Sequence, residues 1–420
     1  MKGNEAMNRN ARGALSAIAV VAAAALALTG CARGPAGDDG TSPGITDDSI
    51  TLGITTPLSG NTAGQGVCSV AGLAAYFGAK NAEGGIAFGD GKTRTVEIEA
   101  LDDTYDPQKA KANYDQLKDS VFAMTAGIGT PTNRSYLSAA IADEVPQVLL
   151  MSGDPIFNDR EESPWQLGFV PTYINEGAAF GEQLAGSSDD HEVAVLYQND
   201  DYGLGYLEGF KEAVADAANV EIVQEQSYES TDISVDAQVT EMAATGADVV
   251  LAAVPINPLM IGAMQKAQSL GWMPSWLLPS NTSSPSVILE PGGAENYPGV
   301  YSVAFAVPFD APEYADDPEV QGFLANLEAH GDYADVPPFP HCAWSYMIAA
   351  TLDQAFQDMG QPTRSSFMEA LRSIDDFQAP LMLPGTSIST TEDGQPAVSS
   401  VVVQKYNGSG YDTVESWDEG

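Results

Sequence analysis

Ile50-Thr-Leu-Gly-Ile-Thr-Thr-Pro-Leu-Ser-Gly60 is a short apolar run closed by a proline and a Ser-Gly turn. Ile50, Leu52 and Ile54 alternate with small or polar residues, which predicts a β-strand over residues 50–55. Residues 70–81 then carry helical spacing, and the strand-then-helix unit recurs downstream. Further strands are expected at 96–101, 122–126, 147–151, 193–197, 249–254 and 300–305. Helices are expected at 107–117, 133–143, 176–184, 206–217, 235–244 and 259–270. Strands alternating with helices of this length build parallel sheets through right-handed crossovers, so the fold class is α/β. Asp106-Pro107 and Asp317-Pro318 mark two helix starts, each with an acid at the N-cap and a proline where a missing N–H does no harm.

The second half adds helices at 318–329, 343–359 and 366–373, then an alternating stretch at 398–406. A late return from helices to strands suits a chain that passes more than once between two α/β lobes. Candidate passages lie near Val170-Pro171, near Ser302–Phe305 and near Leu383-Pro384-Gly385. The length beyond residue 30, about 390 residues, also exceeds what a single hydrophobic core usually serves.

The N-terminus reads as an export signal over residues 1–30. Lys2, Arg9 and Arg12 precede an apolar stretch from Ala14 to Leu28, about fifteen residues and short of the ~20 a membrane span needs. Leu28-Thr29-Gly30-Cys31 resembles the bacterial lipobox, in which the cysteine thiol receives a diacylglycerol. The alternative is an ordinary secretory peptide with an incidental Cys31. Residues 31–49 are polar and rich in Gly and Asp, the composition of a flexible tether.

The formal net charge is −41, and loss of the signal makes it two charges more negative. A surface this acidic argues against nucleic acid and against anionic lipid as partners. Besides Cys31 there are Cys68 and Cys342, an even number that suits one disulfide in an exported protein, or else two buried thiols. His191, His330 and His341 lie at no zinc-ligand spacing from a cysteine, so no metal site is expected. No Gly-x-Ser-x-Gly elbow, His-Glu-x-x-His or phosphate loop occurs, and the scattered acidic pairs read as a solvated surface. Neither catalytic residues nor a cofactor are expected.

Three candidate loops stand where ligands bind in open α/β sheets, at strand carboxyl ends. Ser59-Gly60 follows the first strand, and Gly64-Gln65-Gly66 leads into a helix. Gly127-Ile128-Gly129-Thr130 and Ser152-Gly153-Asp154 follow two others. Their glycines let backbone approach a ligand, and helix N-termini offer free N–H groups. Each could also be plain turn geometry; converging, they would form a carboxylate-sized anion site.

The order of these motifs resembles the branched-chain amino-acid type of ABC-importer substrate-binding protein, over nearly all of the chain after the signal. Carrying the likeness are Ile50 to Gly60, Gly64-Gln65-Gly66, Asn81-Ala-Glu-Gly-Gly-Ile86, Gly129-Thr-Pro-Thr-Asn133 and Val145-Pro146-Gln147. Ala194-Val-Leu-Tyr-Gln-Asn-Asp-Asp-Tyr-Gly203, Gly246-Ala-Asp-Val249, Leu270-Gly-Trp272 and Leu383-Pro-Gly385 continue it. The resemblance implies two Rossmann-like lobes with parallel sheets and a three-strand hinge, the type I periplasmic binding protein fold. It places one lobe at 50–170 plus 304–383 and the other at 171–303 plus 384–420. It implies a monomer that captures a small molecule in the interlobe cleft and hands it to a permease with its ATPases. Only the lipid on Cys31 would hold it to the outer face of the cytoplasmic membrane. A ligand sensor acting through a separate membrane partner is the alternative.

The implied cleft residues are Ser59, Gln65, Gly66, Thr130, Ser152, Gly153, Asp154, Tyr202, Asn257, Asn281 and Trp344. The resemblance also implies a Cys68–Cys342 bridge, since it returns the late helix to the first lobe. Two departures bear on the ligand. Pro155 stands where amino-acid binders of this kind carry a threonine, and a proline has neither N–H nor hydroxyl to offer. Asn281 falls near the expected acidic partner of an α-ammonium, leaving Asp154 to supply that charge. Amino acids and aromatic or other organic acids are thus both expected ligand classes.

Overall fold

The computed structural model describes residues 40–331 and 339–417. The stretch expected to be an export signal, Cys31 and the expected tether up to Asp39 lie outside the described residues. The opening stretch forms β1 (Ser49–Thr56), and its alternation buries Ile50, Leu52 and Ile54 completely. The chain continues through α1 (Ala63–Ala82), β2 (Ile86–Ala87), β3 (Thr93–Asp102), α2 (Pro107–Leu117), β4 (Ala123–Thr125), α3 (Thr130–Ala142), β5 (Gln147–Leu150) and β6 (Gln166–Gly168). These six strands form a sheet in the order β2-β3-β1-β4-β5-β6. Only the short edge strand β2 pairs antiparallel.

A second sheet follows. Its helices and strands are α4 (Tyr173–Ala185), β7 (His191–Gln198), α5 (Asp201–Val214), β8 (Val220–Tyr228), α6 (Asp236–Thr245), β9 (Val249–Ala253), α7 (Asn257–Ser269), β10 (Ser275–Leu278), a one-turn α8 (Glu290–Gly292) and β11 (Val300–Ala304). The chain then makes α9 (Pro318–His330), α10 (Pro340–Asp358) and α11 (Arg364–Leu371), and ends in β12 (Val402–Tyr406) and β13 (Tyr411–Thr413). The sheet order is β13-β12-β11-β10-β9-β7-β8, with the last two strands added antiparallel at one edge. Two mainly parallel sheets, each covered by helices, make this a two-lobed α/β protein.

All seven expected core strands are present, with bounds within three residues. The strand over Val220–Tyr228 was not anticipated, because its alternating Val, Ile, Glu and Gln leave much of this edge strand half exposed. Helix α1 starts at Ala63, seven residues earlier than its apolar spacing predicts. Gly66 belongs inside the helix because a Cβ there would meet the Pro57 carbonyl oxygen at 2.0 Å.

The chain passes three times between the lobes. Val307 N–H donates to Leu381 O (2.8 Å) and Leu383 N–H to Phe305 O (3.0 Å), so residues 304–307 and 381–383 run side by side. The chain does not leave the first lobe at Leu383-Pro384-Gly385. Ile388 bridges Phe377, Ala397 N–H donates to Gly168 O (2.9 Å), and Ile388, Ala397 and Val398 all join the first lobe's core. The proline and glycine only turn the chain, and the passage comes after Val398.

Helix α10 is buried almost throughout and lies along α1 in the first lobe. Their backbones come close at Gly72, where a Cβ would sit 2.2 Å from the Cys342 carbonyl oxygen. A disulfide joins Cys68 on α1 to Cys342 on α10, with the Cα atoms 4.3 Å apart.

Candidate functional site

A cavity opens between the two sheets at the carboxyl ends of their strands. The first lobe contributes Gln65 from the start of α1, Tyr105, Ile128 and Gly129 after β4, Met151 after β5, and His341 and Trp344 from the start of α10. The second contributes Tyr173 and Glu176 from α4, Tyr202 and Tyr206 from α5, Pro255 after β9, and Ser280 and Asn281 after β10. Helix starts place these side chains: Thr172 caps α4 by accepting from Asn175 N–H (3.1 Å), and Asp200 caps α5 by accepting from Tyr202 N–H (3.0 Å).

Aromatic rings face the cavity from both lobes. Tyr173 and Tyr202 meet edge to face at 4.7 Å, and Tyr206 packs 5.2 Å from both. On the other side Trp344 stacks on Phe305 at 5.0 Å and lies 4.7 Å from the His341 ring.

Polar bonds tie the lobes together across this cavity. Gln65 Nε2 donates to Pro255 O (3.1 Å) and Asn257 Oδ1 (3.2 Å). Tyr173 Oη reaches Thr130 Oγ1 (3.0 Å) and Ser152 Oγ (3.3 Å), which also bond each other at 2.9 Å. Arg134 holds Asp154 through two guanidinium nitrogens and lies 3.2 Å from Asp201 of the opposite lobe.

Of the residues the sequence singled out, Gln65, Tyr202, Asn281 and Trp344 line the cavity, and Tyr202 Oη donates to Asn281 Oδ1 (3.2 Å). Thr130 and Ser152 stand behind Tyr173, Gly153 lies under Pro171 O and the Tyr173 ring, and Asn257 receives Gln65. The remaining three are elsewhere. Ser59 is exposed and donates to Asp102 Oδ2 (2.6 Å), while Gly66 packs on Pro57. Asp154 is taken by Arg134 and by the N–H of Ile156 (3.1 Å), so it supplies no free charge to the cavity. The three glycine-rich loops therefore do not converge on an anion site: their polar groups hold backbone turns and the neighbouring lobe instead.

Sequence reasoning missed Tyr105, Tyr173, Glu176, Tyr206 and His341. Glu176 looks in sequence like an ordinary acid in the first turn of a helix. It is buried, and accepts from Tyr206 Oη (2.7 Å), Ser280 Oγ (2.7 Å) and Ser280 N–H (3.1 Å). Burial raises its pKa against the pull of those three hydrogen bonds. His341 is pushed down to about 3 by burial, so its imidazole is neutral at physiological pH, and its Nδ1 has no hydrogen-bond partner.

Beneath Tyr105 lies Asp103, fully buried, accepting from Thr55 Oγ1 (3.1 Å) and Tyr105 N–H (2.8 Å). Burial raises its pKa from 3.8 to about 7. The fold therefore favours its protonated form, and the associated stability is complete below pH 3.8 and lost as pH rises through about 7. Asp103→Asn should raise the melting temperature at pH 8 and leave it unchanged near pH 4. The gain has a ceiling of about 4 kcal/mol, at about 1.36 kcal/mol per pH unit. Melting curves across that range check it, and equal shifts at both pH values would contradict it.

Two α/β lobes that line one cavity from both sides have the architecture of a solute-binding protein. The chain belongs to the periplasmic binding protein family, which it matches over residues 49–410. No curated protein matches it significantly. Among solved structures it is similar to a fatty acid ABC transporter substrate-binding protein from Thermomonospora curvata, with TM-score 0.76 and 23% identity over 90% of this chain and 95% of that one. A possible leucine/isoleucine/valine-binding protein from Rhodopirellula baltica SH 1 superposes with TM-score 0.75 at 20% identity, over 89% and 98%. An ABC transporter solute-binding protein from R. palustris in complex with benzoate does so with TM-score 0.68 at 18% identity, over 87% and 95%. At these identities the likeness establishes the fold.

Proposed function

We propose that this chain is the solute-capturing lipoprotein of an ABC importer. It takes a small organic solute into the interlobe cleft and delivers it to a permease and its ATPases. The observation that carries this reading is the cavity itself, lined from both lobes and bridged by Gln65, Tyr173 and Arg134. A solute placed there touches both lobes at once, so its binding energy can drive hinge closure, as in the periplasmic binding proteins that are a standard example of this motion. The similar structures carry names with a fatty acid, branched-chain amino acids and benzoate. An apolar body is common to all three, and the aromatic wall here suits one.

Export and a diacyl anchor on Cys31 complete the reading. The test is a thermal-shift screen over amino acids, aromatic acids, amines and short organic acids. A ligand at a hundred times its Kd should stabilise the chain by about 2.7 kcal/mol; a flat profile across every class would count against solute capture. In cells, Cys31→Ala should move the protein from the membrane to the soluble fraction with affinity unchanged. A loss of affinity would contradict the tether.

A further inference from the structure

We propose that the solute is an organic cation without a carboxylate, an amine or quaternary ammonium compound whose charge lies against Glu176 and the surrounding aromatic faces. This rests on the solute-binding reading and narrows it. Among the described residues the cavity wall holds one carboxylate, Glu176, and no Lys or Arg. Arg134, which bridges the two lobes, is already paired with Asp154 and Asp201.

Among the described residues Glu176 has no cationic partner. Its neighbours are two hydroxyls and the N–H of Ser280, which can only donate and so points to an acceptor oxygen. A buried carboxylate without a counter-charge is costly, and a solute carrying the missing positive charge relieves that cost. The wall around it offers the negative faces of Tyr105, Tyr173, Tyr202, Tyr206 and Trp344, the surface that attracts ammonium groups.

The same inventory disfavours an anion. A solute carboxylate would share a closed cavity with Glu176 and find only neutral donors. His341 cannot serve as the cation, because burial keeps it neutral. The Nδ1 of His341 still lacks a partner, which leaves one place for a neutral polar group of the solute. The charge of −41 over the whole chain draws cations toward the cleft and repels anions.

The experiment is calorimetric titration of the purified chain with phenethylamine, tyramine and choline, and with benzoate and L-leucine for comparison. At least one amine should bind at least about tenfold more tightly than either comparison solute. Glu176→Gln keeps the shape and one acceptor oxygen, and should weaken the amine about a hundredfold. The melting temperature of the empty variant should not fall. Burial disfavours the charged form of Glu176 and an ammonium beside it favours that form, so amine binding should shift the group toward its carboxylate and release protons. The measured heat will then depend on the buffer's ionisation enthalpy, and this dependence should vanish in the variant; a merely structural Glu176 would give neither result. Benzoate or leucine binding as tightly as every amine overturns the cation and leaves the solute-binding reading standing. An amine unaffected by Glu176→Gln, or no binding by any of the three amines, also overturns it.

Discussion

Replacing Cys68 and Cys342 together by serine should lower the unfolding free energy by about 2–5 kcal/mol. The two residues are 274 apart in sequence, so the bond closes a very long loop and restricts the unfolded chain strongly. It also joins the two helices that carry the first lobe's share of the cavity. Gln65 lies less than one turn before Cys68 on α1, while His341 and Trp344 flank Cys342 on α10. The variant should therefore bind its solute more weakly as well as melt earlier. Urea titration with and without reductant measures the first effect, and reduction of the parent protein should reproduce it. A variant whose midpoint matches the oxidised parent would show that the tight packing of α1 on α10, not the bond, holds these helices.

Trp344→Ala is the other large effect. The indole is 4% exposed, stacks on Phe305 and contacts His341, and truncations of this kind remove about 3–5 kcal/mol. Trp344 is also a shared wall. A second, more apolar cavity, lined by Val303 to Phe309 at the hinge, lies behind it and shares Trp344 and Ser280 with the cleft. Truncation would join the two spaces and take away one aromatic face from the solute. Affinity should drop at least about tenfold, or ~1.4 kcal/mol. Trp344→Phe should recover most of the stability but less of the affinity. Denaturant unfolding and calorimetric titration separate the two quantities. An alanine variant of parental stability would mean that neighbouring side chains collapse into the gap.

The fold was readable because it is written in local patterns. The alternation at Ile50, Leu52 and Ile54, the apolar runs at 193–197 and 249–254, and the Asp-Pro helix starts each report a short-range preference. The structure keeps all of them. The third passage between lobes was misplaced for a related reason: Leu383-Pro-Gly385 has the local chemistry of a break, but Ile388 and Ala397 keep the chain on the first lobe through partners more than ten residues away.

The cleft was legible only in part. Gln65 stands between two glycines ahead of a helix, whereas Tyr202, Asn281 and Trp344 came from the family resemblance. Asp154 was misread because Arg134, which neutralises it, is twenty residues distant and on another element. Glu176 could not be told from a solvated helix acid until Ser280, more than a hundred residues on, was seen donating to it.

By itself, then, the amino-acid sequence determined the α/β architecture and the acidic surface, since composition and periodicity act over a few residues at a time, while the meeting of Cys68 and Cys342 was only implied by the family resemblance. Which carboxylate stands in the cavity, which histidine loses its charge and where the chain last crosses between lobes were decided only by the tertiary structure. Those properties depend on burial and on partners brought from distant parts of the chain, and neither exists before the lobes have packed.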